Sequence, residues 1–164
     1  MKTLIVLRHA KSSWQTSDAD HERPLSDRGL QDAAVAGKIL SEYHIDYLLS
    51  STATRAKQTW EQAQTGGASA DVAVFSKAIY HAWPDEIISE LRELDASVRV
   101  ALLIGHQPTL GDLVASLTSP NQSPQHLGGF PTCALAVLNH PGEWQTLAEG
   151  SATLARFEIP RADQ

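Results

Sequence analysis

The chain holds a single cysteine, Cys133, so no intrachain disulfide can form. That usage suits a reducing compartment, and a cytoplasmic location is expected. Positive charge is not in excess. With 13 Lys and Arg against 19 Asp and Glu, the formal net charge is -6, which argues against nucleic acid or an anionic membrane as a partner. Any phosphate site must therefore be a local gathering of cations in an acidic protein. No run approaches the roughly 20 apolar residues of a membrane span, and the apolar stretch before Arg8 is too short for a signal-peptide core. A GxxxxGK[ST] loop is missing, which excludes a P-loop nucleotide site. The 7 histidines show neither HxH nor HxxxH spacing, so no zinc site is expected. Internal repeats and low-complexity segments are absent too.

The chain's 164 residues, read as one domain over 1–164, are enough to bury a full core. Short, nearly unbroken apolar runs occupy residues 4–7, 45–49, 72–75, 100–104 and 134–138. Such runs are expected for strands covered on both faces. Residues 152–159 alternate more and are expected to form an edge strand. Helical patterns lie between. Leu30, Ala33, Ala34, Gly37, Leu40 and Tyr43 recur at helix spacing behind Ser26 as N-cap. Further helices are expected over 53–63 (stopped by Gly66-Gly67), 84–94 (opened by Pro84) and 109–117. Strand and helix thus alternate, which predicts an α/β domain with a mainly parallel sheet. Two loops, from Lys11 to Pro24 and from Thr118 to Pro131, exceed the usual connection length.

Three strand ends carry the chemistry. The first run ends in Arg8-His9 and the fourth in Gly105-His106. The second runs into Ser50-Ser51-Thr52 and then Arg55 at a helix start, where free amide donors and a fixed guanidinium favour an anion. In open α/β sheets, sites form in the crevice outside the carboxyl ends of the strands. Two arginines, two histidines and a helix start delivered there would make an electropositive pocket sized for a phosphoryl group.

The wording around these residues is specific. Leu7-Arg8-His9-Ala10-Lys11-Ser12-Ser13-Trp14 resembles the RHG/RHA signature of the histidine phosphatase superfamily, in its SixA-like phosphohistidine phosphatase branch. The resemblance continues through Arg23-Pro24-Leu25-Ser26-Asp27-Arg28-Gly29, residues 51–59 around Arg55, Ile79-Tyr80, Gly105-His106-Gln107-Pro108 and Pro131-Thr132-Cys133-Ala134. It implies a three-layer, phosphoglycerate mutase-like fold, with helices on both faces of a mainly parallel sheet of about five or six strands. It also implies His9 as the phosphorylated nucleophile, with Arg8, Arg55 and His106 holding the phosphoryl oxygens. The chemistry fits those residue types. An imidazole nitrogen splits one hard displacement into two, and arginines stay charged at any relevant pH. His106 is expected to help as a charge-bearing clamp, protonated when phosphate is near. Neither metal nor cofactor is required.

Cys133 has Asn139, not arginine, shortly after it, which argues against a cysteine phosphatase. It is expected to be a small buried residue in a strand. Lys11 and Arg23 are secondary phosphate-binding candidates, with a salt bridge to Asp20 or Glu22 as the competing role. Trp14 and Trp83 either wall the entrance or pack inside.

The proton donor to the leaving group is open among His81, Asp85 and Glu86. The two carboxylates sit where they would simply stabilise a helix start. His81 stands where relatives often carry Glu, and either binds substrate or caps a loop. A site without an evident acid suits a phosphoramidate, anhydride or aryl phosphate better than an alkyl phosphate. The expected substrate is a protein-borne phosphohistidine. The alternatives are a small phosphorylated metabolite, or a phosphate-binding regulatory module without turnover.

Overall fold

The computed structural model describes residues 1–122 and 129–163. In chain order it runs β1 (Lys2–Arg8), α1 (Asp27–Leu40), β2 (Ile45–Ser51), α2 (Thr54–Thr65), β3 (Ala70–Ser76), the short α3 (Lys77–Tyr80), α4 (Pro84–Arg92), β4 (Val100–Gly105), α5 (Thr109–Leu117), β5 (Leu135–His140) and β6 (Thr153–Glu158). The strands form one sheet in the order β3-β2-β4-β1-β5-β6. β3, β2, β4 and β1 are parallel; β5 and β6 run antiparallel to their neighbours. The expectation of a mainly parallel α/β sheet with helices on both faces is met.

The apolar runs work by alternation, since successive strand residues point to opposite faces. Leu4 and Val6 of β1, with Ala101 and Leu103 of β4, bury against α4 and α5 through Ile87, Leu91, Leu110 and Val114. Ile5 and Leu7, with Leu102 and Ile104, face the other way onto α1 and α2, against Ala33, Leu40, Ala56 and Trp60. Each such buried Leu or Ile stabilises the fold by roughly 1.5–3 kcal/mol. On the second face the two helices approach closely because Gly37 has no side chain: a Cβ there would lie 2.0 Å from the Ala63 carbonyl oxygen.

Helix starts follow local chemistry. Ser26 caps α1, its Oγ accepting the Gly29 N–H at 3.1 Å. α4 opens on Pro84, and Glu86 accepts the Trp83 N–H at 2.8 Å.

Two expectations need correction. The 72–75 run is not covered on both faces. β3 pairs only with β2, and Val72 and Phe75 are 48% and 38% exposed, because the edge strand lies beyond the helix layers. Cys133 is buried but lies outside β5. It occupies a turn with φ of 63°, and its N–H reaches back to the His9 carbonyl at 3.0 Å. Of the long loops, the first is ordered by a bridge between Ser12 and Leu25 and a 3-10 turn at Asp20–Glu22. Residues 123–128 of the second lie outside the described residues.

Candidate active site

Parallel pairing of β1 with β4 puts Arg8 opposite Gly105, so His9 and His106 leave the sheet side by side. Their ring centroids are 5.2 Å apart. The backbone around His9 is tightly held. Its N–H donates to the Gly105 carbonyl at 3.1 Å, and the next N–H, of Ala10, donates to Thr59 Oγ1 at 3.0 Å. Thr59 in turn donates to the Arg55 carbonyl at 2.7 Å, so α2 is tied to the end of β1.

The His9 ring is buried, with Nδ1 2.7 Å from the Ala10 carbonyl oxygen. A carbonyl can only accept, so Nδ1 carries a proton. Burial pushes the His9 pKa down to about 3, against the Ala10 hydrogen bond and with repulsion from His106, Arg55 and Arg8. At neutral pH the ring is therefore uncharged, and Nε2 has a free lone pair.

His106 is also neutral in the free protein. Burial first, then Arg55, push its pKa down to about 4, with Asp20 opposing. Among these cations His106 carries charge only if an anion arrives to offset them, the condition attached to its expected role as a clamp. Its Nε2 lies 2.8 Å from Ser51 Oγ, at the end of β2.

Arg8, His9, Lys11, Arg23, Arg55 and His106 line one cavity of about 260 Å³, together with Ser12, Trp14, Gln107 and Thr132. Among the described residues, no carboxylate lines the cavity. Four buried donors have no hydrogen-bond partner among the described residues: Nε of Arg8, Nε of Arg23, Nε of Arg55 and Nδ1 of His106. Buried donors are normally paired. What fits an anion is the lining itself: Arg8, Lys11, Arg23 and Arg55 around a single cavity, with no carboxylate among the described residues that line it. The helix start itself does not line the cavity; α2 contributes through the Arg55 side chain.

Asp20 is the site residue that sequence reasoning assigned only as a salt-bridge partner. It does pair with Arg23, at 3.1 Å. It also accepts from Arg55 Nη2 at 3.1 Å and from the Tyr80 hydroxyl, while its backbone carbonyl accepts from Arg55 Nη1 at 2.7 Å. Tyr80, Arg23 and Arg55 hold its carboxyl well below the usual range, so it is ionised. Both it and the Ser51–His106 contact join residues far apart in sequence.

The remaining candidates separate. Lys11 and Arg23 line the cavity, but His81 does not. It is exposed, packs tilted against Tyr80 with centroids 4.1 Å apart, and lines an adjoining recess. Asp85 and Glu86 accept backbone N–H groups at the start of α4, the stabilising role. Trp14 and Trp83 are 78% and 70% exposed, not packed. A different group, His44, Asp46 and Asp71, brings its ligand atoms within 4.8 Å of one another at the far ends of β2 and β3. There His44 pairs with Asp71 at 2.9 Å, and Asp46 accepts the Arg99 and Val100 N–H groups, so those atoms already satisfy one another. No described helix is long and apolar enough to cross a membrane.

Comparison with known proteins points the same way. Residues 4–74 match the family model of the histidine phosphatase superfamily, branch 1. An uncharacterised protein of Mycobacterium tuberculosis is 36% identical over 94% of this chain and 100% of its own length. The solved structure of a candidate phosphohistidine phosphatase SixA from Nakamurella multipartitia superposes with a TM-score of 0.86 at 30% identity, covering 97% of this chain and 96% of that one. Its counterpart from Agrobacterium tumefaciens gives 0.82 at 28% identity, covering 97% and 98%.

Proposed function

Because the chain belongs to the histidine phosphatase superfamily and is SixA-like, we propose that it is a phosphatase working through a phosphoryl group carried on His9, and that its substrate is phosphohistidine in a protein. The observation that carries this reading is the His9 ring. Its Nδ1–H is committed to the Ala10 carbonyl, which leaves Nε2 unprotonated inside a cavity lined by arginines.

In the first step Nε2 bonds to phosphorus as the bond from phosphorus to the leaving atom breaks, and that atom takes up a proton. In the second, water bonds to phosphorus, the bond to Nε2 breaks, and inorganic phosphate leaves with the water proton passed to solvent. Phosphoryl transfer asks the protein mainly for positioning and for charge on the phosphoryl oxygens. Arg8 and Arg55 supply the charge. His106 stands beside the His9 ring, held by Ser51 Oγ at its Nε2, where an arriving anion favours its charged form. Lys11 and Arg23 add positive potential at the mouth.

Substrate choice follows from the missing acid. Among the described residues no carboxyl lines the cavity, Asp20 beside it is ionised, and Asp85 and Glu86 serve the α4 start. An alkoxide would leave such a site slowly. An imidazole, with an ordinary pKa of about 6.5, leaves readily once protonated.

The test is one panel on one preparation: a phosphohistidine peptide, an aryl phosphate and an alkyl phosphate, with acid-quenched samples assayed for an acid-labile phosphoryl group on the protein. Phosphate release from the peptide and a phosphoryl group on the chain, both lost in His9→Ala, support the reading. Alkyl phosphate turned over as fast as the peptide would exclude the phosphohistidine assignment. No release from any of the three would leave a binding module instead.

A further inference from the structure

Two of the four tryptophans, Trp60 and Trp144, are buried at 4% and 0% exposure, whereas Trp14 and Trp83 stand out at 78% and 70%. A single exposed apolar residue needs no explanation. What distinguishes this pair is its position. The catalytic cavity shares Lys11, Ser12 and Trp14 with a recess of about 550 Å³ that continues along Ser13, Gln15 and Pro24. Through a different pair of residues, His106 and Gln107, it adjoins a recess of about 240 Å³ that Trp83 helps to line. The nucleophile's cavity thus opens into two recesses, with exposed Trp14 where the first begins and exposed Trp83 in the second.

Both rings sit on anchored backbone or side-chain supports. Trp14 stacks on the Arg23 guanidinium at 3.8 Å, and Arg23 is buried and tied to Ser12 and Asp20. Trp83 is fixed at the start of α4, where its N–H donates to Glu86 and its carbonyl accepts the Glu86 N–H at 3.1 Å. A tryptophan has only two side-chain torsions to fix, so it loses little entropy on contact, and such aromatics dominate binding at peptide and protein interfaces. The central cavity, about 260 Å³, lies at the lower end of small-molecule sites, enough for a phosphoryl group and the ring that bears it. A free metabolite of that size leaves both recesses bare. A polypeptide does not, because its backbone leaves the phosphorylated residue in two directions.

We propose that the cavity and its two recesses form a trough that seats an extended polypeptide segment on both sides of the phosphorylated residue, with Trp14 beside the phosphorylated residue and Trp83 in the second recess as its aromatic contacts. This rests on the phosphohistidine reading above and narrows the substrate from the modified residue to the residue within its chain.

The test compares kcat/KM of the full chain on three phosphoramidates: free phosphohistidine, a phosphohistidine peptide with flanks on both sides, and peptides with one flank removed. The two-sided peptide is expected to exceed free phosphohistidine by about tenfold or more, and each one-sided peptide is expected to fall between them. Trp83→Ala should lower kcat/KM on the two-sided peptide by about tenfold, mainly through KM, and leave free phosphohistidine within about twofold. Trp14→Ala also alters the cavity wall, so it is read as the peptide-to-free ratio, which should drop by a similar factor. Equal kcat/KM for free phosphohistidine and the two-sided peptide would overturn the trough while leaving the phosphohistidine reading intact. So would a Trp83→Ala loss of equal size on both substrates. If no phosphoramidate is turned over, the reading beneath fails and the trough with it.

Discussion

Arg55 spends both terminal nitrogens on Asp20, one on the backbone carbonyl at 2.7 Å and one on the carboxylate at 3.1 Å. The guanidinium expected to hold a phosphoryl group therefore already holds an internal anion. Asp20 comes from the long loop after β1, and it also engages Arg23 and Tyr80. A phosphoryl group entering the cavity competes with this carboxylate for Arg55. Removing the negative charge should ease that competition. Asp20→Asn is expected to lower the inhibition constant of inorganic phosphate by about two- to fivefold, the scale of a partly exposed ion pair. Weaker phosphate binding in this variant would mean that Asp20 braces Arg55 instead of competing with it.

The paired histidines set a pH dependence of stability. The pKa values of His9 and His106 are lowered to about 3 and about 4 in the folded chain, against about 6.5 unfolded. Above pH 6.5 both are neutral in either state, so their neutral, buried arrangement costs nothing there. As pH falls below 6.5, the unfolded chain binds protons that the folded chain refuses, and stability is lost down to the folded pKa values. Urea midpoints should decline steadily between pH 6.5 and 4, and His9→Gln with His106→Gln should flatten that decline. In NMR titrations neither ring should titrate between pH 8 and 5. Added phosphate should bring the His106 titration up into that range, since a nearby anion favours the charged form.

Much of this arrangement can be read from the sequence, and the rest divides along a physical line. Strand ends are legible because apolar runs stop abruptly, which is how Arg8-His9 and Gly105-His106 stand out. The cap on α1 is legible because Ser26 and Gly29 are three residues apart and bond locally. Asp20 is a different case. Its pairing with Arg23, three positions on, could be read locally, but its partners Arg55 and Tyr80 lie 35 and 60 positions away, and only the folded chain shows its hold on them. Ser51 and His106, 55 positions apart, meet for the same reason. Val72 to Phe75 failed in another way. An apolar run reads the same at a sheet edge as at its centre, and only the strand order shows that β3 has one neighbour.

Gly29 fixes the loop that delivers Lys11. A Cβ at Gly29 would lie 2.1 Å from the Lys11 carbonyl oxygen, which is itself held by the Ser26 N–H at 2.9 Å. Alanine is the better helix former, so on propensity alone Gly29→Ala should stabilise α1. The backbone clash should win. The variant is expected to lose roughly 1–3 kcal/mol in urea unfolding. KM should also rise, because the displaced segment carries Lys11 and Ser12 of the cavity wall. A stabilised variant with unchanged KM would show that the loop can move away without cost to the site.

Cys133 supplies a last check, because its backbone matters to the site and its thiol does not. The Cys133 N–H donates to the His9 carbonyl, which helps fix the nucleophile, while the side chain is fully buried. Burial pushes its thiol up to about 12, with Asp32 adding to the effect. The thiolate is the reactive form, so at pH 8 almost none is present and the sulfur is inaccessible. Iodoacetamide should therefore leave folded protein unlabelled and fully active over hours. In urea the same reagent should modify one cysteine per chain. Rapid labelling of the folded protein with loss of activity would place a reactive thiol at the site and undo the assignment of nucleophilicity to His9.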